Sequence, residues 1–328
     1  VSAYLGTSDF AATVLRALAA SEFRPELVVT LPDRKRGRGR KLQPSPVADA
    51  AEELGIELLK SANVNGDEDR ERILVTGSDW ASICAFGQII KEPLLTELPM
   101  LNVHPSLLPR WRGAAPIERA VMAGDQKTGV GVMRLVAGLD SGPVALRRET
   151  PIDPDEDYAS LAGRLADIGG ELLVEALGLA KSNRIEWQQQ DEDGLTYAEK
   201  IESAERRIDP SMAVCPVNDL VRALTPHIGA FIELDGGERL GVRGSRPAAA
   251  EEAVDESGAT KAGSDGAIED AWPPQVEPGQ FASADDRLLF GCADGALELL
   301  TVQPAGKTPM DAGSYLRGRG TPIAAPPE

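Results

Sequence analysis

Residues 101–113 read LNVHPSLLPRWRG: an apolar entry, a polar exit and a proline-bounded turn. Successive side chains of an extended segment point to opposite faces. Asn102 and His104 therefore share one face and can aim at one reacting atom. Downstream, GLDSG at 138–142 supplies a carboxylate, Asp140, that orients the imidazole if the fold returns it there. The chain has only two histidines, and one stands in this setting.

The first 150 residues alternate apolar runs with amphipathic stretches. Strands are expected at Ser2–Leu5, Leu27–Thr30, Trp80–Phe86, Leu101–His104 and Val130–Leu135. Helices are expected at Phe10–Ala20, Pro46–Leu54, Arg70–Leu74 and Ala115–Ala123, with Ser45 as N-cap before Pro46. This alternation implies βαβ units and a mostly parallel sheet, an α/β Rossmann-like fold. Ligands on such sheets bind beyond the carboxyl ends of the strands, where AFG (85–87) and NVHPS (102–106) fall. Tyr158–Ala180 carries an apolar stripe at helical spacing, with Gly169-Gly170 as an expected interruption.

The composition changes after this helix. Residues 1–183 read as one domain, 184–210 as a polar linker, and 211–328 as a second domain. Its short strands are separated by Gly and Asp-Gly turns such as Asp294-Gly295, which predicts a small antiparallel β-barrel of the oligonucleotide-binding (OB-like) type. Residues 249–270 carry seven acids against Lys261 and read as a flexible loop inserted in that domain.

The chain has 328 residues, enough for two cores, and a net charge of −18. No apolar run approaches the roughly 20 residues of a membrane span, and VSAYLGTSDF lacks a signal-peptide layout. A cytoplasmic location follows as the expectation. Cys84, Cys215 and Cys292 are far apart and odd in number, which argues for buried reduced thiols rather than disulfides or a zinc site. The absence of a long apolar edge or heptad run favours a monomer. Against the acidic background stands PDRKRGRGRKLQPSP, with Arg34, Lys35, Arg36, Arg38, Arg40 and Lys41 between prolines and broken by Gly37 and Gly39. It reads as a mobile basic surface loop.

The trio has a definite chemical competence. Attack of an amine on a carbonyl carbon builds negative charge on oxygen and positive charge on nitrogen. An amide N–H and an imidazolium stabilise the first, and an imidazole or water takes the proton from the second. No Ser or Cys nucleophile is needed if the substrate brings an amine. A GxSxG elbow is absent, and His104 has no ligand-spaced His or Cys neighbour, so no metal is expected.

Several blocks resemble the methionyl-tRNA formyltransferase family, in that family's order: GTSDFA (6–11), PDRKRGRGRKLQPSPV (32–47), AFGQII (85–90), NVHPSLLPRWRGAAPIERA (102–120), GLDSGPV (138–144), TYAEKI (196–201) and LLTVQPAGKTPM (299–310). The central blocks alone admit other formyltetrahydrofolate enzymes. The basic loop, TYAEK and QPAGKTPM narrow the match. The resemblance implies that residues 1–183 form a formyltransferase domain and that 211–328 contact tRNA. It implies a catalytic trio of Asn102 (donor to the formyl oxygen), His104 (stabilising the tetrahedral intermediate and handling the proton) and Asp140 (holding His104). It implies folate binding by Phe86, Gly87, Gln88 and Ile89 and by Ser106, Leu107, Leu108 and Pro109. The basic residues Arg34, Lys35, Arg36, Arg38, Arg40 and Lys41 would meet the acceptor stem. The reaction implied is formyl transfer from 10-formyltetrahydrofolate to the α-amine of methionyl initiator tRNA.

Three other readings use the same residues. A sugar-amine formyltransferase would share the trio, a formyltetrahydrofolate hydrolase would use water as nucleophile, and an RNA-binding module would use only the loop and barrel. The second domain also poses a question of charge: residues 210–328 hold 9 Lys and Arg against 18 Asp and Glu. A tRNA-facing surface gains from basic residues through counterion release.

Overall fold

The computed structural model describes residues 3–36, 41–77, 79–248 and 275–325. It divides into two compact units, Val1–Ala120 with Asp125–Pro154 and Ser160–Lys200, and Val121–Gly124 with Asp155–Ala159 and Ile201–Glu328.

The strands of the first unit are β1 (Ala3–Gly6), β2 (Leu27–Thr30), β3 (Arg34–Arg36), β4 (Lys41–Gln43), β5 (Glu57–Lys60), β6 (Ala81–Cys84), β7 (Met100–His104), β8 (Arg112–Gly113), β9 (Lys127–Arg134), β10 (Val144–Pro151) and β11 (Tyr197–Ala198). Its main helices are α1 (Asp9–Ala19), α2 (Pro46–Leu54), α3 (Asp67–Val75), α4 (Leu94–Glu97), α5 (Pro116–Met122) and α6 (Tyr158–Lys181), the last two crossing the unit boundaries. Seven strands form one sheet in the order β10-β9-β7-β6-β1-β2-β5. The five from β7 to β5 are parallel, and β9 and β10 are antiparallel additions. Strands β1, β2 and β6 are buried at every residue, as parallel strands covered on both faces must be. The order reverses between β1 and β6. That is the switch point at which an open α/β sheet leaves a crevice at its carboxyl edge.

Two strands of the seven-stranded sheet were not legible in the sequence. β5 is four residues long and half exposed. β10 alternates buried or half-buried with exposed charged residues, the pattern of a protected sheet edge. The expected break in α6 is also corrected, because the helix runs unbroken through Gly169-Gly170. A Cβ on Gly169 would lie 2.8 Å from Val103 Cγ1, and one on Gly170 2.5 Å from Ala17 Cβ. The glycines let α6 press against β7 and α1. Val103 takes this contact from the face opposite Asn102 and His104.

The expected linker is corrected in the same way. Residues 184–200 belong to the first unit: Gln188 pairs with Val144, and β11 pairs in parallel with β8. Their polar composition hides backbone pairing that needs no apolar side chains. The described ends of the basic run are strands, not irregular loop. β3 and β4 form an antiparallel ribbon separate from the main sheet, pairing Arg34 with Gln43 and Lys35 with Leu42. Its base is tied by Thr30 and Ser45, whose hydroxyls lie 2.7 Å apart, and by the Lys60–Asp33 pair at 2.6 Å. Ser45 also caps α2, accepting from Ala48 N at 3.0 Å. Arg38 and Arg40 lie outside the described residues.

The second unit contains α7 (Val214–Leu224), β12 (Ala230–Glu233), β13 (Arg239–Pro247), β14 (Phe281–Ala284), β15 (Arg287–Cys292), β16 (Gly295–Pro304), β17 (Met310–Asp311) and α8 (Ala312–Arg319). Its sheet is antiparallel, in the order β12-β13-β16-β15-β14, with β17 pairing β16. Val217, Leu220, Val221 and Leu224 bring the apolar face of α7 into one core with Val242, Phe290, Leu297 and Val302. Asp294-Gly295 turns β15 into β16 as expected. Residues 249–270, expected as a flexible loop, lie outside the described residues. Cys84 and Cys292 are buried, and burial pushes each thiol up to about 12; Cys215 is exposed, contrary to expectation.

Within this sheet one carboxylate is buried. Glu298, 4% exposed, accepts from Arg287 Nε at 2.9 Å and from Arg246 Nε at 2.8 Å. Burial alone would raise its pKa, but the two guanidiniums outweigh that and hold it below the ordinary 4.5. The stabilisation is therefore present above the unfolded carboxylate's pKa and is lost as pH falls through the depressed folded value. Glu298→Gln should cost about 1–3 kcal/mol near neutral pH. Chemical denaturation of the two proteins should show this gap shrinking below about pH 4.

Candidate active site

β7 delivers the first two polar groups. Asn102 pairs with Ile83 of β6 and Met133 of β9, and His104 pairs with Gly131. A strand held on both edges cannot slip, so both side chains are fixed on one face. His104 is 4% exposed and Asn102 half-buried. Among the described residues the Asn102 carboxamide makes no hydrogen bond.

The third group arrives on the loop between β9 and β10. Asp140 Oδ2 lies 3.7 Å from His104 Nδ1 and accepts from Gly113 N at 2.9 Å. The distance to the imidazole is that of an ion pair rather than a hydrogen bond. Asp140 adopts a left-handed conformation, φ 43°. The loop is compact because Gly142 lacks a Cβ, which would collide with the carbonyl oxygen of Arg134. The structure thus brings Asn102, His104 and Asp140 to the carboxyl edge of the sheet.

His104 Nε2 lies 2.9 Å from the carbonyl oxygen of Trp111. A carbonyl only accepts, so Nε2 carries a hydrogen. Both ring nitrogens then face acceptors, a carbonyl on one side and a carboxylate on the other. Trp111 is itself left-handed, φ 64°. Its indole N–H donates to Asp125 Oδ2 at 2.8 Å, and its backbone N–H donates to Thr196 Oγ1 at 2.9 Å. Arg110 grips the same Asp125 through two hydrogen bonds, 2.8 and 2.7 Å, which raise the arginine pKa further. Trp111, Gly113 and Asp125 do not stand out in the sequence. Trp111 and Gly113 serve the site through a backbone carbonyl and an N–H, and Asp125 through a carboxylate that anchors Trp111 and Arg110, contacts that leave no mark in residue type.

The expected folate residues fall in two groups. After β6, Ala85 and Gly87 take positive φ of 42° and 87°, and Thr7 Oγ1 donates to Phe86 O at 2.6 Å. Phe86 is buried, whereas Ile89 is 76% exposed. The Gln88 side chain is committed elsewhere: it accepts from Val64 N at 3.0 Å and donates to Ser61 O at 2.9 Å. Any ligand contact from Gln88 is therefore left to its backbone. The 106–109 block follows β7 as a turn, with part of its side-chain surface committed locally. Ser106 is buried and donates to Arg110 O at 2.6 Å, Leu108 packs with Met133 and Val144, and Pro109 follows a cis peptide. Leu107 is half-buried and sits over Gly129, where a Cβ would meet it at 2.6 Å.

Two large apolar side chains, Ile89 and Leu139, are exposed on the loops that follow β6 and β9. Ile89 follows the carboxyl end of β6, and exposed apolar surface at such a strand end suits a planar heteroaromatic ring. A folate-like donor therefore fits the residues present.

Comparison with known proteins places the chain in a family. Residues 2–177 match the formyl transferase family and residues 200–320 match the formyl transferase C-terminal domain. The chain is 40% identical to a methionyl-tRNA formyltransferase of Parvibaculum lavamentivorans over 322 residues, 96% of each chain. It is 39% identical to a methionyl-tRNA formyltransferase of Ruegeria pomeroyi, covering 97% of each. The crystal structure of HypX from Aquifex aeolicus in complex with tetrahydrofolic acid shares the fold, with a TM-score of 0.63 at 17% identity over 98% of this chain and 48% of that one. On the family match along both units and the full-length relatives, this chain belongs to the formyl transferase family, among the methionyl-tRNA formyltransferases.

Proposed function

We propose that the chain transfers the formyl group of 10-formyltetrahydrofolate to the α-amine of methionyl initiator tRNA. The observation that carries this reading is the convergence of Asn102, His104 and Asp140 at the sheet's carboxyl edge, with the Asp140 carboxylate 3.7 Å from the imidazole. The folate donor supplies an activated formyl carbon when bound, and the acceptor supplies the nucleophilic amine. The Asn102 carboxamide, with no partner among the described residues, is available to donate to the formyl oxygen as charge builds there. As the amine bonds to the formyl carbon and the donor's nitrogen–formyl bond breaks, the proton lost by the amine passes to the departing folate nitrogen, and His104 assists that transfer beside the same oxygen. Asp140 stabilises positive charge on the imidazole, and the Trp111 carbonyl fixes the plane of the ring. The exposed Ile89 and Leu139, with the backbone of residues 86–89, receive the donor's ring.

The basic ribbon is assigned to the tRNA. Arg34, Lys35 and Lys41 are exposed on it, with Arg36 in the same strand pair and Arg38 and Arg40 between the strands in sequence. In the second unit Arg206 directs its guanidinium to Gly229 O and Ile228 O, and Arg243 to Gln303 Oε1 and Pro226 O. Held by neutral oxygens, both retain their charge for a phosphate despite the acidic composition around them. We assign the domain roles accordingly: donor binding and transfer to the first unit, tRNA contact shared by the ribbon and the second. Monomeric, cytoplasmic action belongs to the same reading. No helix among the described residues is long and apolar enough to cross a membrane.

The hydrolase and sugar readings are separated from this one by following the formyl group. With labelled 10-formyltetrahydrofolate, the label should move to methionyl initiator tRNA and stay in the donor when the charged tRNA is omitted. Formate release without charged tRNA would support hydrolysis instead. Transfer to a nucleotide-linked amino sugar in preference to the charged tRNA would support the sugar reading.

A further inference from the structure

Asp140 is held in a disfavoured conformation, and one side chain far away in sequence holds it. Gln190 lies in the segment that pairs beside Val144 and continues into β11. Its Nε2 donates both hydrogens to the loop, to Asp140 O at 2.8 Å and to Gly142 O at 2.7 Å. Its Oε1 accepts from Arg112 Nε at 2.9 Å. Next to Arg112, the Gly113 N–H donates to the Asp140 carboxylate. One half-buried carboxamide thus joins the loop that carries Asp140 to the strand whose backbone fixes the Asp140 carboxylate.

A non-glycine residue at φ 43° costs of order 1 kcal/mol or more and persists only where its surroundings over-determine it. Turning Asp140 back toward an ordinary conformation would swing its carbonyl away from Gln190 and its carboxylate away from Gly113 and His104. Gln190 uses every hydrogen-bonding group of its carboxamide to prevent that. We propose that Gln190 is a positioning residue for formyl transfer, acting through Asp140 by holding its backbone so that the carboxylate stays beside His104. The inference rests on Asp140 acting with His104, as proposed above.

The test is a double-mutant cycle between positions 190 and 140. Gln190→Met keeps the volume and removes the donors. Gln190→Glu keeps an acceptor for Arg112 and sets carboxylate oxygens against the two carbonyls. Each should lower kcat by about 10–100-fold, since misplacing a group by an ångström has effects of that size, and leave the KM for the donor within about twofold. In an Asp140→Asn background the same two substitutions should change kcat by less than about threefold, because the charge they serve is gone. Equal losses in both backgrounds would overturn the proposal, since a merely structural role is additive. Near-normal kcat in both Gln190 variants would also overturn it. If Asp140→Asn itself retains wild-type turnover, the fault lies with the role given to Asp140 and not with Gln190. Thermal unfolding of each variant separates loss of fold from loss of position, and either variant alone suffices for the cycle.

Discussion

Replacing His104 by alanine is expected to lower kcat for formyl transfer by about 10²–10⁴-fold, the range a positioned acid–base group contributes. Donor affinity should change little, because the exposed apolar surface at Ile89 and Leu139 lies on other loops. Asn102→Ala should lower kcat by about 10²–10³-fold, as removal of one oxyanion donor does. The two losses should be far from additive, since both groups meet one developing charge. His104→Ala also leaves the Trp111 carbonyl without its donor, at a cost of about 1–3 kcal/mol in a buried site. The assay therefore belongs below the variant's unfolding temperature, with circular dichroism alongside. Near-wild-type turnover in His104→Ala would refute the assigned chemistry.

The second large effect is expected at the ribbon. Replacing Arg34, Lys35 and Lys41 together by alanine should lower kcat/KM for charged tRNA on the order of 10–100-fold at physiological salt. The slope of log affinity against log salt should flatten by up to about 0.7–0.9 for each phosphate that is no longer neutralised. Donor binding should not move. The ribbon sits apart from the main sheet and is tied at its base through Thr30, Ser45, Asp33 and Lys60. The substitutions therefore remove charge without disturbing the core. Filter binding over a salt series, with equilibrium binding of the donor measured in parallel, distinguishes this from a role in the folate site, which would show both affinities falling together.

The sheet and the trio were legible in the sequence because burial and period speak in residue types. The alternation of apolar runs with amphipathic stretches marks β1, β2, β6 and β7, and the i, i+2 spacing already sets Asn102 and His104 on one face. The framework around the trio was not legible. Trp111 acts through a carbonyl and Gly113 through an N–H, and neither group depends on the side chain. Gln190 stands in a polar segment that reads as a linker, since its partners are backbone oxygens of residues 50 and 48 positions earlier. Gly169-Gly170 misled in the opposite sense. Glycine weakens a free helix, whereas here the missing Cβ atoms permit the close approach of α6 to β7 and α1. In the 106–109 block the side chains of Ser106 and Leu108 are committed to a local hydrogen bond and to packing, contacts the sequence does not announce.

The proposed mechanism has Asn102, His104 and Asp140 moving a formyl group from a folate donor to the amine of a charged tRNA. Single-turnover transfer from labelled 10-formyltetrahydrofolate to methionyl initiator tRNA tests it most directly, with the wild type and His104→Ala run at saturating donor. Label is expected on the tRNA amine at a rate that falls at least about a hundredfold in the variant, with donor binding retained. Label appearing as formate in the wild type, or on the tRNA at equal rates in both proteins, would contradict it.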